Sequence, residues 1–400
     1  MPDPGSIEDI LGTFSRIAEE PHAYAADWKQ RTSRKVVGIF PMNFPLELVH
    51  AAGALPVVVQ ESRTSITEGR SLLFEFYCGY SRSIVDQAAT GELAVYDGFF
   101  LVDHCVALVG AADALRFQLP ETRTYLAQYM ASMDEDTTRT DIVRCVRDLR
   151  DQLEALCGTA ITPDALARSI ALFNTNRRLQ RQVYDLRRTG RTALTARQVQ
   201  AIVKSSMVMD IEEHTALLQA LVPALDREAP NMPAMARLHL SGHFCHAPQP
   251  ELFDMIESCG AIVVDDDLYT GFRFISTDVK EDIDPVEALV DWYFARNNTV
   301  PCATRAQKSV DWETYLSTSL EQSGADGVIV LMAKFCEPHM LYYPELRKEF
   351  ARRNTPFLLI ETEHEGLALE MLRTRVEALV EGIRRKPAVN EPGLAQATRV

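Results

Sequence analysis

Of the residues in this chain that could do chemistry, three cysteines recur in one kind of setting. Cys336 ends the run Gly327-Val328-Ile329-Val330-Leu331-Met332-Ala333-Lys334-Phe335 and is followed by Glu337, Pro338 and His339. Cys105 ends Gly98-Phe99-Phe100-Leu101-Val102-Asp103-His104, again beside an acid and a histidine. Cys78 lies in Tyr77-Cys78-Gly79-Tyr80-Ser81-Arg82-Ser83, where a loop turns into a helix. They are 27 and 231 residues apart, so no C-x-x-C spacing links them, and each alone reads as a small core hydrophobe. The repeated junction supports the other reading, a shared metal site. Three thiolates converging there would suit an iron–sulfur cluster and leave one iron without a protein ligand. Zinc completed by His104 or His339 is the alternative. Asp103, His104, Glu337 and His339 flank these cysteines and are candidates for tuning the site or moving protons; His104 and Glu337 are taken as the catalytic candidates.

The other polar clusters read more plainly. His243-Phe244-Cys245-His246-Ala247-Pro248 is the tightest His/Cys group, either a polar strand-to-helix loop or a substrate-facing or metal-binding one. Asp265-Asp266-Asp267 after a strand could be a magnesium site, but with one strand end and no phosphate loop it is read as a structural loop. Cys302 could line a pocket; Cys145 and Cys157 are assigned to a core, and Cys259 to a helix end. Neither a G-x-x-x-x-G-K-[ST] loop nor a G-x-S-x-G elbow occurs, which argues against a Walker-type ATP site and an α/β-hydrolase.

Chemistry at strand ends requires strands to present it. A continuous apolar run such as 327–332 reads as a strand buried on both faces, hence one in a parallel sheet. Ligands of open α/β sheets bind outside the carboxyl ends of such strands. Further strands are predicted at 36–40, 55–59, 98–105, 237–242, 261–265 and 356–361, and Cys336 is placed at the start of a helix that includes Tyr343-Pro344-Glu345-Leu346-Arg347. The first βαβ unit lacks G-x-G-x-x-G, so no dinucleotide site is expected there. Residues 7–28 have the spacing of one leading helix. From about 136 to 225 the pattern is helical: Gly158 ends one helix, Thr162-Pro163 starts the next, and Thr195 with Gln198 forms a capping box. The fold class is therefore α/β: two Rossmann-like or flavodoxin-like parallel-sheet domains with a helical segment between them. The divisions are 1–33 (N-terminal helical segment), 34–135 (first α/β domain), 136–232 (helical segment), 233–385 (second α/β domain) and 386–400 (loose tail). Arg177-Arg178 and Arg187-Arg188 are read as a partner surface or a solvated helix face.

Bulk properties narrow the function. At 400 residues with a formal charge of −15, the chain lacks the basic surface that DNA or RNA binding needs. No apolar run approaches the ~20 residues that span a bilayer. Its first residues form no signal peptide, so it is placed in the cytoplasm, with its cysteines as thiols or metal ligands.

With these segments in view, the chain resembles the 2-hydroxyacyl-CoA dehydratase and benzoyl-CoA reductase family over nearly its full length. The resemblance is carried by Tyr77 to Ser83, by the Asp97-Gly98 strand ending in Cys105, and by Ala325-Asp326-Gly327-Val328-Ile329 running into Lys334-Phe335-Cys336-Glu337-Pro338. Phe40-Pro41-Met42, His50-Ala51-Ala52-Gly53-Ala54-Leu55-Pro56 and Leu240-Ser241-Gly242-His243-Phe244-Cys245 look more like the reductase branch, and within it the smaller, C-type cluster-bearing subunit. The resemblance implies a [4Fe–4S] cluster on Cys78, Cys105 and Cys336, an aromatic acyl-CoA substrate, a related B-type subunit, and a separate ATP-hydrolysing iron–sulfur activator that supplies low-potential electrons. In the reductase branch those electrons dearomatise the ring to a cyclic diene; in the dehydratase branch a ketyl radical expels the hydroxyl of a 2-hydroxyacyl-CoA. The reading from a different class is a non-catalytic cluster-bearing subunit that only relays electrons or supports a partner. One departure is Gly79, where many relatives have proline after the first cysteine.

Overall fold

The structure, a computed structural model, describes residues 5–226, 235–242, 245–308, 310–366 and 368–385. The tail expected at 386–400 and the residues His243 and Phe244 lie outside the described residues. Val36–Ile39 (β1), Leu55–Val58 (β2), Gly98–Val102 (β3) and Thr124–Ala127 (β4) form one sheet in the order β2-β1-β3-β4, every pair parallel. β1, β2 and β3 are buried along their whole length, as their unbroken apolar runs require. Pro56 is tolerated because β2 is an edge strand, with no second neighbour to receive the missing N–H.

Ala236–Gly242 (β5), Ala261–Asp266 (β6), Gly327–Ala333 (β7) and Phe357–Thr362 (β8) repeat that arrangement in a second parallel sheet, ordered β6-β5-β7-β8. All seven residues of β7 are buried. The two-domain parallel α/β architecture is thus as the sequence indicates. In both sheets the winding direction reverses between the two central strands, β1/β3 and β5/β7. A crevice opens at the carboxyl edge of each such reversal.

Between the sheets in sequence run the helices Thr138–Cys157, Pro163–Arg188, Ala196–Ser206 and Ile211–Leu225. Their predicted punctuation holds: Gly158 takes the left-handed conformation (φ 68°), the Thr162 hydroxyl accepts from Ala165 N, and Thr195 and Gln198 close a capping box. The helix expected to start at Cys336 does start there, running Glu337–Arg353 with Pro344 inside it. Two expectations need correction. The leading helix is two, Ile7–Glu19 and Pro21–Thr32, because Pro21 cannot continue the hydrogen-bond ladder. The arginine pairs are internal fastenings instead of a partner surface. Arg177 and Arg187 are buried, bonding Glu47 (2.5 Å) and Val263 O (2.5 Å) respectively. Arg178 pairs with Asp278 and Glu281, and Arg188 with Asp265, so both are spent on the second half of the chain.

The acidic run is structural. Asp265 and Asp266 complete β6, and Asp266 accepts from Tyr184 OH at 2.6 Å. Asp267 accepts from Ser241 Oγ (2.8 Å), Gly242 N (2.7 Å) and Trp312 Nε1 (2.9 Å), which ties off the ends of β5 and β6.

Candidate functional site

Each of the three cysteines is the N-cap of a helix. Cys78 precedes Gly79–Ala89, Cys105 precedes Val106–Gln118 and Cys336 precedes Glu337–Arg353. The last two follow β3 and β7 within three residues, at the carboxyl edges of the central strands. None makes an ordinary cap hydrogen bond through its sulfur, but the backbone N–H three residues on (Ser81, Leu108, His339) faces each thiol and favours its thiolate. The folded chain brings the three together: all line one cavity of about 300 Å³ between the two halves, with Phe76, Tyr77, His104, Cys245, His246 and Glu337 among the other walls.

Their thiols differ in ease of ionisation. Burial pushes Cys105 up to about 12 and raises Cys336 as well. At Cys78 burial acts the same way, but the hydrogen bond and charge of His246, with Ser81 at 3.5 Å, outweigh it and bring the thiol below its ordinary value. His246 is itself pushed up to about 10; burial opposes its charge, and Glu61 and Cys78 restore it. Glu61, from the loop after β2, accepts from His246 Nδ1 at 3.0 Å and from His364 Nδ1 at 2.7 Å. One carboxylate of the first half thus clasps two histidines of the second. Gly79 has a reason in this clasp: a Cβ there would stand 2.8 Å from His364 Cβ and 3.2 Å from Glu61 Oε1.

The expected proton-handling residues are dispersed. His104 lines the cavity; burial and then the guanidinium groups of Arg305, Arg296 and Arg273 push it well below its ordinary value, so it is a neutral ring at pH 7. Its Nδ1 lies 3.0 Å from Thr304 Oγ1. Glu337 is exposed on the cavity rim. His339 is fully buried against Trp312, ring centroids 5.0 Å apart, and does not line the cavity. Asp103 is half-buried, and its carbonyl accepts from Arg305.

Among the other cysteines, Cys302 is buried behind His104, 4.0 Å from its Nε2, and Cys145 and Cys157 are only partly buried at the edge of the core. Cys259 donates to Met255 O at 3.2 Å, a helix-end contact. Cys245 is the surprise. It stands just past the carboxyl end of β5, lines the cavity, and feels the charges of Cys105, Cys78 and Cys336. Its position after a strand is visible in sequence; its convergence with residues far along the chain is not.

The donor set fits a thiolate-held cluster: soft sulfur ligands at helix N-termini around one cavity. Among the described residues no three His, Cys, Asp or Glu side chains are gathered tightly enough for a single metal ion. A cluster places each thiolate on a different iron and takes donors that stand further apart. Among those residues, too, no helix is long and apolar enough to cross a membrane.

The chain is 25% identical over 383 residues to the C-type subunit of benzoyl-CoA reductase from Thauera aromatica, covering 95% of this chain and 99% of that one. It is 27% identical over 386 residues to the beta subunit of lactoyl-CoA dehydratase from Anaerotignum propionicum (94% and 99% covered), and 24% over 374 residues to the (R)-phenyllactyl-CoA dehydratase beta subunit of Clostridium sporogenes (94% and 98%). The family model for the D-component of 2-hydroxyglutaryl-CoA dehydratase matches residues 41–383, which contain all but the first strand and all the cavity cysteines. The chain belongs to the 2-hydroxyglutaryl-CoA dehydratase D-component family, whose relatives are subunits of acyl-CoA dehydratases and of benzoyl-CoA reductase.

Proposed function

We propose that this chain is the cluster-bearing, C-type subunit of an ATP-dependent aromatic acyl-CoA reductase, with benzoyl-CoA as the model substrate. The observation that carries the reading is the meeting of three N-cap cysteines, Cys78, Cys105 and Cys336, in one cavity at the carboxyl edges of two parallel sheets. These three would hold a [4Fe–4S] cluster, which when bound supplies low-potential one-electron chemistry. The protein's own part is to keep that place dry and polarised. Burial excludes water, three helix N-termini favour negative sulfur, and His246 offsets the charge at Cys78. His104, neutral and held at Thr304, lines the cavity without adding charge, while Glu337 stands exposed at its rim.

The cavity mouth supports a partner subunit. Phe76, Val106 and Phe335 line it yet are 62%, 69% and 42% exposed, and Leu341 on the Cys336 helix is 81% exposed. Apolar residues clustered at the rim of a functional cavity mark a surface that another protein covers; the related B-type subunit is the occupant we assign. ATP hydrolysis is assigned to a separate iron–sulfur activator, since this sequence has no Walker loop. We place the complex in the cytoplasm, where thiols stay reduced; all eight cysteines are free. A second reading, a subunit of a (R)-2-hydroxyacyl-CoA dehydratase, is favoured by the 27% identity to the lactoyl-CoA enzyme. Anaerobic assay of the chain with its related subunit and activator, offering benzoyl-CoA or a 2-hydroxyacyl-CoA, decides between them. ATP-dependent ring reduction is expected. Dehydration alone would transfer the assignment to the second reading, and turnover by this chain alone with ATP would overturn the division of labour.

A further inference from the structure

The switch point of the second sheet lies between β5 and β7. Cys336 follows β7, and Cys245 follows β5, so the two thiols flank the same crevice from adjacent strands. The first sheet sends Cys105 from its own central strand and Cys78 from the helix leading into it. Four thiols, two from each half, therefore line one cavity. Cys302 does not line it, for it is buried behind His104 and Thr304.

From this juxtaposition we propose that Cys245 is a fourth cysteine ligand, so that the cluster in this chain has no open iron. Ligation replaces the Cys245 S–H bond by an Fe–S bond, with the proton released to solvent, and no electron is transferred. The consequence is a division of roles. This subunit would store and pass electrons through a closed cluster, and any step that needs substrate on iron would fall to the related subunit. It departs from the expectation, drawn from the three matching junctions alone, of one iron without a protein ligand.

The inference rests on the proposed cluster, and its test separates the two. The full-length chain is reconstituted anaerobically with iron and sulfide, oxidised mildly, and followed by EPR for the three-iron form that a cluster with an open iron yields when it sheds that iron. Wild type should give almost none of this signal and should show no coupling to isotopically labelled water in ENDOR. Cys245→Ala should convert most of its cluster and lose one iron from each, whereas Cys302→Ala should behave as wild type. A wild-type cluster that sheds iron readily or couples to labelled water overturns the inference and leaves the proposed function standing, and this readout does not depend on the variant folding. A wild-type chain that takes up no cluster overturns both.

Discussion

Replacing Glu61 by glutamine removes a buried carboxylate that helps to fasten the two α/β halves beside the cavity. Its two oxygens accept from His246 at 3.0 Å and His364 at 2.7 Å, and its side chain is 12% exposed against 8% and 2% for those partners. His364 also reaches Thr64 O through Nε2 at 2.7 Å, so both its ring nitrogens face oxygen acceptors and the ring is held as a cation. Burial opposes the charge on Glu61, yet the two histidines hold its carboxyl below the ordinary range; the carboxylate in turn raises both histidines, His246 to about 10. Breaking a buried pair by removing one partner costs about 3–5 kcal/mol, because the other is left charged and unpaired or must shed its proton. With a urea slope of about 3 kcal/mol/M, that moves the unfolding midpoint by about 1 M. The sign with pH follows from linkage. The lowered carboxyl contributes stability that is present above 4.5 and lost as pH falls. The raised histidines contribute stability that is complete below 6.5 and is lost as pH rises, for His246 through about 10. The gap between wild type and Glu61→Gln should therefore be widest between pH 4.5 and 6.5 and narrow on either side. Urea titrations followed by tryptophan fluorescence across that range measure it. An unchanged midpoint within the window, or a gap that widens towards alkaline pH, refutes the clasp. The double change Glu61→Gln with His364→Gln should be less than additive.

Ser in place of Cys78, Cys105 or Cys336 should lower iron and sulfide bound on anaerobic reconstitution, while Cys145→Ser, on a partly exposed thiol outside the cavity, should not; equal loss in all four would defeat the site assignment. His214 is buried and pushed down to about 3, its Nδ1 accepting from Asn176 at 2.9 Å and its Nε2 facing Ile202 O at 3.1 Å. Its neutral form thus contributes stability that is present above 6.5 and lost as pH falls towards 3, about 2 kcal/mol of it by about pH 5; denaturation of His214→Gln should lack that part of the acid slope. Arg177→Met leaves the wholly buried Glu47 carboxylate without its cation and should cost about 3–5 kcal/mol in chemical denaturation, most of it recovered when Glu47→Leu is added. A loss under about 1 kcal/mol would show that the pair is as weak as an exposed one.

What the sequence determined by itself was local. Unbroken apolar runs mark strands that must be covered on both faces, which makes the sheets parallel and directs attention to their carboxyl ends. Gly158, Thr162-Pro163 and Thr195 with Gln198 punctuate helices because caps are satisfied within a few residues. Cys78, Cys105 and Cys336 are legible for the same reason, each in a strand–loop–helix junction readable in its own segment. The short β4, Thr124–Ala127, is not, since four residues at a half-buried sheet edge carry little periodic signal. Only the tertiary structure decided which junctions meet. That Cys245 joins the other three, that Glu61 clasps His246 and His364 across 185 and 303 residues, and that Arg177 and Arg187 are buried against Glu47 and Val263 are contacts between segments far apart in the chain. Nothing in a loop's own sequence names its partner. The pairing is fixed when two twisted sheets pack through a shared helical layer and bring their carboxyl edges to the same cavity.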